Sequence, residues 1–227
     1  MRLVLSRDDK LLIGLVLGTV LLMNIPYGSY PLYPFKLFAT WIHESFHGLA
    51  ALLTGGSVSS VEIYSDTSGL TQSLLSQSMG AQAFVASMGY LGTSIVGAIL
   101  LALRQRPRAQ RWALSVLAVA MVLSLVVWVR NLFGGVTVAV LAVGIGLLAL
   151  RGADRWASII TNVLASQACV NALLDIRVLY SVGEGSDAAA MARIVGLWPW
   201  FWATLWMGLS ILLFWVAWSR TREAKPT

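Results

Sequence analysis

The stretch Trp41-Ile42-His43-Glu44-Ser45-Phe46-His47-Gly48-Leu49-Ala50-Ala51-Leu52-Leu53-Thr54-Gly55-Gly56 decides both the fold and the chemistry of this chain. Inside an otherwise apolar run it carries the pattern His-Glu-x-x-His. Positions four apart on an α-helix share a face, so His43 and His47 can present two imidazoles to one metal ion. Glu44 lies beside His43 and can act as general base on a metal-activated water without being a ligand. The chain has two histidines, and both fall in this motif. A glutamate in an apolar helix is costly unless something there needs it. A pair of hydrogen-bonded core histidines explains neither the spacing nor the glutamate, so a metal site is the better reading.

Working outward, the motif helix is expected over 35–54, with Gly55-Gly56 as its stop. Its histidines come well into the apolar stretch, which places the metal below the membrane surface. At 227 residues, 58% hydrophobic and 11% charged, the sequence is that of a polytopic membrane protein with no room for a large soluble domain. The expected fold is all-α: about six or seven transmembrane helices in a single transmembrane domain over 1–227. The net charge of +6 comes from arginines in loops and tail. Such clusters set orientation and touch lipid head groups, so the bilayer is the expected partner and nucleic acid is not. The single cysteine, Cys169, rules out an internal disulfide and a multi-cysteine zinc site.

On the N-terminal side, 11–25 reads as a retained first span, because Met23-Asn24-Ile25-Pro26 offers no small-x-small cleavage site. On the C-terminal side, 57–73 holds the β-formers Val58, Val61, Ile63 and Tyr64 and the turn cluster Ser65-Asp66-Thr67-Ser68-Gly69. It is either a short β-hairpin or a plain loop. As a hairpin it could line an aqueous pocket and pair with an unwound substrate strand, with Ile63 among its edge donors. The span 79–103 is rich in glycine and alanine, so it can pack closely on the motif helix. Each of its glycines reads as ordinary bundle packing.

The helix expected over 156–180 carries Asn162, Gln167, Asn171 and Asp175 among apolar residues. Asn171 and Asp175 are four apart and share a face. Of the ten acidic residues, Glu44 and Asp175 lie well inside predicted spans. Asp175 is therefore a candidate ligand, with a surface ion pair to Arg177 as the alternative. Ser186-Asp187-Ala188 reads as a helix N-cap.

The segment His43–Gly56, with a β-like segment and a small-residue span behind it, resembles the site-2 protease family of intramembrane zinc metalloproteases. It is most similar to the compact bacterial and plant branch without PDZ domains. The resemblance implies a zinc-dependent endopeptidase acting on membrane-embedded protein substrates, in a bacterial plasma membrane. His43 and His47 would be zinc ligands and Glu44 the base; apart from the resemblance, Asn171, one turn before Asp175 on the same face, could orient that carboxylate or contact substrate. The third ligand of the family, an aspartate in a later helix, falls on Asp175, where Leu174-Asp175 keeps the family's Leu-Asp pair without its flanking prolines and glycine. Asp187 is the alternative. A catalytically inactive binding relative and a metal transporter are the rival readings.

Overall fold

The computed structural model describes residues 7–181 and 186–223, and within them the side chains of 9–168, 170 and 186–221. Among the described residues the chain forms eight α-helices and one hairpin. In order these are α1 (Arg7–Met23), α2 (Tyr33–Leu53), β1 (Ser57–Ile63), β2 (Gly69–Leu74), α3 (Met79–Ala102), α4 (Pro107–Val127), α5 (Leu132–Arg151), α6 (Asp154–Ser181), α7 (Asp187–Val195) and α8 (Pro199–Glu223). A single 3₁₀ turn, Tyr30–Leu32, leads into α2.

Four of the described helices, α3, α4, α5 and α8, are long and apolar enough to cross a membrane. The first helix has only 17 residues. The motif helix is long enough, but Lys36, His43, Glu44 and His47 interrupt its apolar face. Burial follows the helical period. Leu114, Ala118, Met121 and Ser124 of α4 face inward, as do Val138, Ala142, Ile145 and Ala149 of α5. Their opposite faces expose Val116, Val119, Val126, Val140 and Val143. In water that pattern would be inside out. In lipid it is the expected solvation of apolar side chains.

The core gathers on α2. Leu37, Phe38, Trp41 and Ile42 pack with Leu100, Met121, Val138, Leu164 and Phe214, drawn from five other helices. Polar ties fix the packing. The Trp41 indole N–H donates to Ser124 Oγ at 2.8 Å, and Gln167 Nε2 donates to Thr19 Oγ1 at 2.8 Å. Just beyond α3, buried Arg104 reaches Asp9 of α1 at 2.6 Å and Thr221 of α8 at 2.9 Å. The Trp218 indole also donates to Asp9, at 2.9 Å. Removing one partner of such a buried pair costs about 3–5 kcal/mol.

Of the two readings for 57–73, the structure takes the hairpin. Antiparallel pairing runs from Ser57↔Leu74 to Ile63↔Gly69, with a bulge between Val58 and Ser60. The turn closes through Asp66, whose Oδ1 accepts the backbone N–H of Ser68 at 2.9 Å and its hydroxyl at 2.6 Å. The outer edge of β1 is covered by the α4–α5 connection. Val61 N donates to Trp128 O at 2.8 Å, and Arg130 N donates to Val61 O at 3.3 Å. Asn131 then grips Ile63, accepting its N–H at 3.2 Å and donating to its carbonyl at 2.6 Å. The Ile63 donor is thus used inside the protein. Among the described residues β2 has no strand on its other side.

Candidate metal centre

Helix α2 carries the motif as expected and buries Glu44 and His47, which are 7% and 8% exposed. His43 and His47 lie one turn apart with their Nε2 atoms 3.1 Å from each other. The third group is Asp187. Its Oδ2 lies 3.0 Å from His43 Nε2 and 3.1 Å from His47 Nε2. Asp175 and Asn171 belong to α6, but their side chains lie outside the described residues.

Asp187 reaches the histidines because of the way α7 begins and packs. Ser186 caps the helix, its hydroxyl accepting the Ala189 N–H at 3.2 Å, as Ser186-Asp187-Ala188 predicts. Ala188 and Met191 seat α7 against Ala86 of α3 and Trp206 of α8. The first residue of the helix is thereby aimed at α2.

The donor set suits a divalent cation. The Val85 carbonyl can only accept, so His47 Nδ1 carries the proton and donates to it at 2.8 Å. In the neutral imidazole that tautomer turns the lone pair of Nε2 toward His43 Nε2 and Asp187 Oδ2. Such electron-rich atoms, 3.0–3.1 Å apart, need a proton or a cation between them. Two imidazoles and one carboxylate form a familiar catalytic zinc set, and the spacing is on the scale of ligands bound at about 2 Å.

Two glycines make the site possible. A Cβ on Gly89 of α3 would stand 2.4 Å from His47 Nε2 and 2.5 Å from His43 Nε2. This glycine therefore departs from the ordinary packing role read for it in the sequence. Gly89→Ala is expected to weaken zinc binding by about 10- to 100-fold, the range for disturbing the groups around a metal. Titration of the purified variant against wild type, at equal helix content, measures it. In β2, a Cβ on Gly69 would stand 2.6 Å from Glu44 Cγ. The hairpin can then lie directly on the glutamate, and Thr71 donates its hydroxyl to Glu44 Oε2 at 2.7 Å, sharing it with the Glu44 carbonyl at 2.9 Å.

Tyr90 of α3 meets His43 edge-on, with ring centroids 4.9 Å apart, and stacks on Trp206. Sequence reasoning missed Gly69, Thr71, Val85, Gly89 and Tyr90. No local pattern marks them, because each acts only through the register of the hairpin or the approach of α3.

A family model described as Peptidase M50B-like matches residues 12–217. The chain belongs to that family, the site-2 protease family of metallopeptidases, and shows no PDZ domain among the described residues. No curated protein and no solved structure matches it.

Proposed function

We propose that the chain is a zinc-dependent endopeptidase that hydrolyses peptide bonds of membrane-embedded protein substrates. In this reading it is a multi-pass protein with six or seven crossing helices, in a bacterial plasma membrane. The observation that carries the reading is the meeting of His43, His47 and Asp187 beside a buried Glu44 that ligates nothing in the cluster. Family membership supports the peptidase class. The lipid-facing apolar surfaces of α4 and α5 support substrates that reach the site from the bilayer.

His43, His47 and Asp187 would hold the ion. When bound, zinc polarises a carbonyl as a Lewis acid and lowers the pKa of water to about 7. Glu44 takes the proton from the attacking water and returns it to the leaving amine. The Thr71 hydroxyl fixes the direction of that carboxylate, and Gly69 leaves space for it. The outer side of β2 borders the same cavity through Leu70, Thr71 and Ser73. A substrate helix must unwind before its peptide bond can be attacked, and an added strand on β2 would satisfy the backbone groups it frees. Since Asn131 and the Trp128 carbonyl already cover β1, the free edge among the described residues is the one next to Glu44.

The test is cleavage of single-span substrates by the purified protein in liposomes, with and without a zinc chelator. Cleavage within the apolar segment, lost on chelation and restored by zinc, is the expected result. Intact substrates under every condition would reject the reading.

A further inference from the structure

We propose that Lys36 is a specificity-determining residue, selecting substrates that carry an acidic side chain two or three residues from the scissile bond. The inference rests on the peptidase reading and adds to it a class of substrate. Two cavities meet at His43, Glu44, Gly69 and Tyr90. The one of about 370 Å³ contains the histidine–aspartate cluster and the side of β2. The other, about 330 Å³, continues past Glu44 between the first half of α2, the hairpin turn and the middle of α3. A peptide lying across the site has residues on both sides of its cleaved bond, so the second cavity is open to one of those sides.

The chemistry of this second cavity is lopsided. Three of its hydroxyls already have partners. Thr40 donates to the Thr67 carbonyl at 2.7 Å, Thr93 to the Gly89 carbonyl at 2.9 Å, and Ser94 shares a hydrogen bond with Ser210 at 2.6 Å. Among the described residues of the lining, half-buried Lys36 is the single lysine or arginine. Among the described residues no carboxylate pairs with it. Three N–H donors and a full charge therefore border a space in which Thr40, Thr93 and Ser94 already have partners. The one acid among the described lining residues, Glu44, is bound to Thr71 and reserved for the chemistry. A carboxylate brought in by the substrate completes the lysine.

Helix geometry fixes the position. Lys36 precedes His43 by seven residues, about 10 Å along the axis at 1.5 Å per residue. An extended peptide covers about 3.3 Å per residue, so this is about three residues of substrate, fewer once the lysine stem reaches back.

Binding can be measured without turnover. The Glu44→Gln chain is placed in nanodiscs of neutral phosphatidylcholine and titrated with single-span peptides bearing Asp, Asn or Lys at successive positions. Asp is expected to bind about fivefold more tightly than Asn at one or two adjacent positions, and at no others. Adding Lys36→Glu should reverse the order there, favouring Lys, while Lys36→Met should abolish both preferences. An Asp-to-Asn ratio that Lys36→Glu leaves unchanged at every position overturns the proposal. So does a Lys36→Met effect confined to discs containing anionic lipid, which would assign the lysine to head groups. Failure of the wild-type chain to cleave any of these peptides, with the Asp preference intact, would instead reject the peptidase reading and keep the binding site.

Discussion

Replacing Glu44 with glutamine is expected to lower turnover of a membrane-embedded substrate by about 10²- to 10⁴-fold, the range for losing a positioned general base. Bound zinc should stay near the wild-type level, because His43, His47 and Asp187 converge without Glu44. The substitution is nearly isosteric. It keeps an oxygen that can accept the Thr71 hydroxyl and adds no atom to the space left by Gly69. Helix content and detergent-solubilised size should be unchanged. Side-by-side measurement of zinc content and cleavage separates the rival functions. Loss of turnover with retained zinc marks a peptidase. A transporter would carry metal as well with glutamine as with glutamate, and an inactive relative would show no turnover to lose. Loss of zinc would mean that Glu44 is itself a ligand.

Much of this was legible in the sequence, where the signal is local. The HExxH pattern falls on α2, and Gly55-Gly56 follow its end at Leu53. The hairpin over 57–73 was one of two readings, suggested by β-formers around a polar turn, and Ser186 was marked by its capping chemistry. The number of crossing helices was less legible. Four described helices are apolar enough on composition, whereas α2 carries the polar groups of the site and α6 carries Asn162 and Gln167. A helix that does chemistry inside a bundle loses the uniform apolarity by which spans are recognised. Least legible were the contacts made across elements. That Ile63 donates to Asn131, or that Gly89 rather than a neighbouring glycine touches the imidazoles, depends on how helices are set against one another. Nothing in the spacing along one segment encodes that.

The same limit bears on the third ligand, where the second large effect is expected. The family resemblance draws attention to Asp175 on α6 through its Leu-Asp pair. The geometry draws it to Asp187, whose Oδ2 stands 3.0 Å and 3.1 Å from the two Nε2 atoms. Asp187→Ala is expected to weaken zinc binding by more than about 100-fold. It removes a charged ligand outright, a larger loss than the 10- to 100-fold seen when only a supporting group is removed. Asp175→Ala should leave affinity within a few-fold of wild type. Alanine suits both helical positions by propensity, and Asp187 follows the cap residue Ser186 instead of supplying the cap, so folding should survive in each. Helix content confirms that, and zinc titration reads the rest. Should Asp175→Ala empty the site while Asp187→Ala fills normally, the ligand belongs to α6, and Asp187 would be a group that hydrogen-bonds the histidines from outside. Should both lose zinc, one carboxylate binds the ion and the other holds its partners. Asp187→Asn separates these cases. It keeps an oxygen that can accept a hydrogen bond but carries no charge, so a ligand role predicts loss and a supporting role predicts near-normal binding.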